Sequence, residues 1–197
     1  MPAPSPPTER PLRADARRNR ERILQAARTV FGEQGPEAQM DDVARAAGVG
    51  VGTVYRHFPH KQALMGELVA QRFATLRANA EEALAAGGDP LEAFEGLVRR
   101  NAEIMAVDAA VQHAIGGEPG VWEAAEPERL ELLRVGGALI ERAKAAGRIR
   151  ADFTADDMPA LMCGLCATMA QPSFDWRRHL EIVLAGIRAW PTTSSGR

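Results

Sequence analysis

Between residues 48 and 61 the chain reads GVGVGTVYRHFPHK, which gathers a hydroxyl at Thr53, a phenol at Tyr55, a guanidinium at Arg56, imidazoles at His57 and His60 and an ammonium at Lys61. At about 100° per residue, Val51, Val54, Tyr55 and Phe58 fall on the packing side of a helix, and Gly52, Thr53, Arg56 and His57 on the other. An ordinary surface helix presents Glu, Lys or Gln outward. A glycine beside hydrogen-bond donors instead suits close approach to phosphates and base edges. His57 and His60 resemble half of a metal site, but no acidic or cysteine neighbour completes it and Pro59 separates them. Cys163 and Cys166 have C-x-x-C spacing, yet there is no second pair and no preceding strand pattern, so packing is the expected role. No phosphate-cradling G-x-x-x-x-G-K, nucleophile triad or paired carboxylates occur. Neither a metal, a cofactor nor a catalytic site is expected.

The segment needs neighbours to hold it. Ile23, Leu24, Ala27, Val30 and Phe31 share one face of a helix expected over 14–34 and ended by Gly35-Pro36. Met40 to Ala47 forms a short helix with Asp41 and Asp42 at its positive end, and Gly48 suits a left-handed turn. A third helix starts near Gly50 and stops before Pro59. Spacing alone fits a helix-turn-helix, whose last helix enters a major groove, or a plain helical hairpin.

The run MDDVARAAGVGVGTVYRHFPHKQAL, residues 40–64, resembles the DNA-binding signature of the tetracycline-repressor (TetR) family of bacterial transcription regulators. The matching positions are Val43, Ala44, the turn 47–49, Thr53, Tyr55, Phe58, Lys61 and Leu64. The resemblance implies that Thr53, Tyr55, His57 and Lys61 meet DNA, Tyr55 and Lys61 chiefly on phosphates. Arg56, at a variable position, is the expected base reader, with Gly52 beside it. Gly50 and Gln39 stand where relatives carry hydroxyl caps, so both helix starts are expected to be less firmly fixed. Arg17, Arg18, Arg20 and Arg22 are either further phosphate contacts or a solvated run.

Beyond Lys61 the patterning stays helical. Leu64, Met65, Leu68, Val69, Phe73 and Leu76 mark a helix over 60–86, and Asp89-Pro90 opens another in which Phe94, Val98, Asn101 and Met105 share a face. Asn101 is either a satisfied core amide or a ligand contact. A short helix is expected over 109–115, then a loop, GGEPGVWEAAEP, whose Trp122 covers a pocket mouth or anchors the loop. A helix over 126–146 follows. These positions, with His113 and Leu161, make up the expected small-molecule pocket: Phe94, Val98, Asn101, Met105, His113, Trp122 and Leu161.

The last two helices are apolar on two sides. Over 155–171, Met158, Leu161, Met162, Leu165 and Met169 oppose a stripe of small residues, Ala160, Cys163, Gly164 and Ala167. The final helix opposes Trp176, Leu180, Val183, Leu184 and Ile187 with Ile182, Gly186 and Ala189. The small-residue faces are the expected subunit interface, and the resemblance implies a four-helix bundle between two copies.

At 197 residues the chain fits one to two domains, and its apolar residues, 46%, show no membrane-length run. The start, MPAPSPPTERPLR, lacks an apolar h-region, so a cytoplasmic protein is expected, with 1–13 disordered and 191–197 a tail. Net charge is uneven: ten Arg/Lys against seven Asp/Glu over 1–61, and fourteen against nineteen beyond. The expectation is an all-α fold of about nine helices, with a DNA-binding domain over 14–60 and a ligand-binding and dimerisation domain over 61–190. The expected function is a regulator, in all a homodimer on a palindromic double-stranded operator, repressing until a small-molecule effector binds. The alternatives are a helical enzyme, which has no catalytic constellation to support it, and a protein-binding adaptor, which leaves Thr53, Arg56, His57 and Lys61 unexplained.

Overall fold

Glycine and proline punctuate a chain of helices. The computed structural model describes residues 9–108, 110–112 and 120–189, with backbone alone at 9–13 and at Trp122. The helices are α1 (Glu9–Gln34), α2 (Met40–Ala47), α3 (Val51–His57), α4 (Lys61–Ala86), α5 (Pro90–Ala106), α6 (Val121–Ala145), α7 (Met158–Met169) and α8 (Trp176–Ile187). The fold is all-α. Among the described residues the extended pairing is confined to an isolated bridge between Ile149 and Arg188. Of the helix expected over 109–115, residues 110–112 are helical and the others, His113 included, lie outside the described residues.

Three expectations are corrected. α1 begins at Glu9, inside the stretch expected to be disordered. Pro11 is no obstacle there, because first-turn N–H groups have no partner within the helix. α2 starts firmly despite lacking a hydroxyl cap, since the Asp42 carboxylate accepts from the Gln39 backbone N–H at 3.2 Å. α6 begins at Val121, within the expected loop, and carries Pro127 inside it. Val121 and Ala125 are fully buried, and that packing outweighs the hydrogen bond that Pro127 cannot donate.

Two buried clusters organise the molecule. The first holds Ile23, Phe31, Val43, Val54, Leu64 and Leu68 from α1–α4 together with Met105, Ala110, Val111, Val121 and Ala125. The second holds Phe94, Leu97, Leu139, Ile140, Phe153, Leu165 and Leu184. Each fully buried Leu, Ile or Phe contributes roughly 1.5–3 kcal/mol. α4 and α6 run side by side in the same direction, and Gly66 sets their closest approach. A Cβ there would lie 2.6 Å from the Ala124 Cβ and 3.1 Å from the Val121 carbonyl oxygen. Farther along, Arg142 donates to the Leu84 carbonyl at 2.8 Å. α5 and α8 run antiparallel, clamped by Arg177–Glu103, Arg99–Glu181 and Arg188–Glu95, each with two hydrogen bonds of 2.7–2.9 Å.

Candidate nucleic-acid face and effector cavity

α3 is held by few groups. Val54 is fully buried and Phe58 nearly so, whereas Val51 and Tyr55, expected to pack, are 38% and 46% exposed. A helix of two turns reaches the core through a narrower stripe than its periodicity suggests. Gly48 makes the turn before it at φ 63°, and Arg22 braces that turn by donating to the carbonyls of Ala47 at 2.6 Å and Gly48 at 3.3 Å. Gly52, Tyr55 and Arg56 are exposed, and Thr53 and His57 are half-buried. A Cβ on Gly52 would touch nothing within 4 Å, so internal packing does not require that glycine.

The neighbouring cations are mostly engaged. Arg17 pairs with Glu21, Arg18 with Asp15, and Arg20 with Glu67 while lying over the Phe58 ring. Lys61 donates to the Pro36 carbonyl at 2.6 Å and lies over the Phe31 ring, folded against the corner between α1 and α2. His60 caps α4, its Nδ1 accepting from the Ala63 N–H at 3.1 Å, so one half of the candidate imidazole pair has a structural task. Arg56 has no hydrogen-bond or ion-pair partner among the described residues. A free guanidinium beside a glycine, a phenol and a hydroxyl can bond a guanine edge in two places while its neighbours rest on the sugar-phosphate backbone.

The second feature is a partly open cavity of about 150 Å³ lined by α4, α5, α6 and α7 together with Ala155. Four of the seven expected pocket residues line it: Phe94, Val98, Asn101 and Met105. Leu161 lies beside a separate narrow recess that shares the walls Phe94 and Val98. His113 and the Trp122 side chain lie outside what is described. Sequence reasoning missed Arg129, Gly136, Met158 and Cys166, which also line the cavity. Gly136-Gly137 offered a signal: two glycines in the interior of a helix each cost about 1 kcal/mol relative to alanine, so they mark a place where room is needed. A Cβ on Gly136 would meet nothing within 4 Å.

The wall carries little charge. Arg129 donates to Glu126 at 2.6 and 2.7 Å, and these bonds hold the Glu126 carboxyl below its usual range and the guanidinium above its own. Burial pushes the Cys166 thiol up to about 11, with Cys163 adding to the effect. Such a thiol stays protonated at neutral pH and is a poor nucleophile or metal ligand. Asn101 Oδ1 accepts from Asn79 Nδ2 at 2.8 Å.

On the outside of α7, Ala160, Cys163, Gly164 and Ala167 are exposed in a row, and Ile182 and Gly186 are exposed on α8. Cys163 also borders the cavity. Ala189, expected on the final helix, instead lies past its end, where its N–H donates to the Arg148 carbonyl at 2.9 Å. Among the described residues no helix is long and apolar enough to cross a membrane.

Residues 23–68 match the model of the bacterial regulatory proteins of the TetR family. Residues 89–189 match that of the C-terminal domain of SbtR-like transcriptional regulators. The TetR transcriptional regulator SCO0520 from Streptomyces coelicolor is 33% identical over 86% of this chain and 98% of that one, with a TM-score of 0.59. The chain belongs to the TetR family. Its curated relative, the HTH-type transcriptional repressor KstR of Mycolicibacterium smegmatis, is 38% identical over 93 residues, 46% of each protein. The TetR-family chain thus spans less than half the length of the curated relatives it matches. The transcriptional regulator FadR from Bacillus subtilis, solved in complex with stearoyl-CoA, shares the fold at 17% identity, covering 84% of this chain and 95% of its own with a TM-score of 0.69.

Proposed function

We propose that this TetR-family chain is a homodimeric, sequence-specific DNA-binding regulator, a repressor released from a palindromic operator by a small molecule. Residues 14–60 serve DNA and residues 61–190 serve the effector and the partner copy. The observation that carries this reading is Arg56, unpaired among the described residues on a helix anchored by Val54 and Phe58. An enzyme reading has no comparable support, because the cavity wall holds a raised thiol and a neutralised ion pair. For the dimer, the support is the exposed row on α7 and, on α8, the exposure of Ile182, 56%. Two recognition helices then reach successive major grooves roughly 34–36 Å apart. α4 borders the cavity at Phe73 and Leu76 and begins next to α3, so a ligand that favours one packing of α4 changes that spacing.

The test is to recover fragments of the source genome that bind the purified protein and to titrate one at two salt concentrations. The expected outcome is a palindromic site whose affinity falls steeply with salt, because phosphate contacts release counterions. Failure to bind duplex DNA at low salt would sink this reading.

A further inference from the structure

The cavity wall is hydrocarbon and sulfur apart from Asn101 and Arg129. The donors of Arg129 that face Glu126 are taken, and the pair is neutral as a unit. Asn101, unlike the partly exposed Arg129, is nine-tenths buried and carries no charge for a counter-ion to neutralise. Its amide is oriented from outside the cavity. Arg100 can only donate, and it bonds Glu82 at 2.6 Å and Asn79 Oδ1. Asn79 therefore turns its oxygen outward and its Nδ2 inward, where it donates to Asn101 Oδ1. Asn101 Nδ2 remains, and it donates to none of the described residues. A line of polar groups, Glu82, Arg100, Asn79 and Asn101, thus leads from the exposed surface between α4 and α5 to the cavity and leaves a donor there.

We propose that the effector is an uncharged, chiefly hydrocarbon molecule carrying a carbonyl-type oxygen that accepts from Asn101 Nδ2; this rests on the reading of the cavity as the effector site. A buried donor in an apolar wall discriminates strongly, because a ligand without an acceptor leaves it unpaired. A carboxylate would lose its hydration without meeting an unneutralised cation. A cavity of about 150 Å³ accommodates a benzene-sized body, so the ligand has on the order of ten non-hydrogen atoms. Asn79 is a positioning residue, since it sets which end of the Asn101 amide faces the ligand.

The experiment uses the full chain and ligand-observed NMR titration with acetophenone, isopropylbenzene and benzoate, which have equal numbers of non-hydrogen atoms, and with aniline as a donor. Wild type is compared with Asn101→Leu and Asn79→Asp. The expected ratio of acetophenone to isopropylbenzene affinity falls roughly 3- to 10-fold in Asn101→Leu. In Asn79→Asp the new carboxylate accepts from both Arg100 and Asn101, which turns the Asn101 oxygen into the cavity. Acetophenone then loses affinity and aniline gains it, a reversal that loosened packing would not produce. Should Asn101→Leu fail to fold, this reversal decides. If both hydrocarbon-bodied probes bind but their ratio is unchanged in the variants, the inference is overturned and the cavity reading stands. Tighter binding of benzoate than of acetophenone to wild type also overturns it. Binding of none of the four overturns the cavity reading and the inference together.

Discussion

Arg56 is the side chain whose removal tests base reading most directly. Arg56→Ala is expected to cost roughly 1–3 kcal/mol on a recovered operator and to relax preference at the base pair it contacts, as read by competition among operator variants. An equal loss across all variants would reassign it to the phosphates. Glu95 offers a test of a different kind. It is buried and accepts from Arg188 at 2.7 and 2.9 Å and from Arg99 at 3.0 Å; the Arg188 bonds, then those from Arg99, hold its carboxyl below the usual range against the opposing effect of burial. The unfolded chain therefore takes up the proton first as pH falls, and the stabilisation present above the unfolded value disappears as pH drops through the folded one. Glu95→Gln is expected to lower stability at pH 7 by about 1–2 kcal/mol, and the gap should close in denaturant titrations repeated toward pH 3. A gap that persists at acid pH would mean that packing, not charge, holds Glu95. Arg56 was legible from its outward position in the sequence. The pairing of Glu95 with Arg188 was not, because nothing local links residues 93 positions apart.

At the scale of elements, the crossing of α4 and α6 depends on Gly66. Gly66→Ala places a Cβ 2.6 Å from that of Ala124, and helix backbones cannot yield as a flexible side chain can. The expected loss is about 1–3 kcal/mol in thermal or denaturant unfolding, and adding Ala124→Gly should restore part of it. No recovery in the double variant would locate the strain at the Val121 carbonyl, 3.1 Å away. The clear cap was legible: α5 begins where Asp89 predicts, with Asp89 accepting from the N–H groups of Leu91 and Glu92 at 3.0 Å, whereas the Asp42 brace that fixes the start of α2 was not foreseen. The start of α6 was not, because Gly120 and Pro127 signal a break that burial of Val121 and Ala125 overrides. The cavity was half legible. The α5 stripe from Phe94 to Met105 follows from periodicity, but the opposing wall from Arg129 to Gly137 is set by how α6 lies on its neighbours.

For the whole molecule, the exposed row on α7 allows the proposed dimer to be tested separately from folding. Gly164 is exposed and a Cβ there would meet nothing within 4 Å, so Gly164→Leu is expected to leave the subunit's own packing intact. The expected outcome in sedimentation is a monomer with unchanged helical circular dichroism, and an intact dimer would move the interface elsewhere. The composition of the first buried cluster bears on how such proteins can be recombined. It joins Ile23, Phe31, Val43 and Val54 of α1–α3, together with Leu64 and Leu68 of α4, to Met105, Val111, Val121 and Ala125, residues that arrive long after α3 has ended. Residues 14–60 are therefore expected not to behave as an interchangeable cassette. A hybrid that grafts them onto a different C-terminal portion is expected to keep its stability only if the donor's α4, with Gly66, and the first turns of α6 travel with them, a unit of inheritance that is discontinuous along the chain.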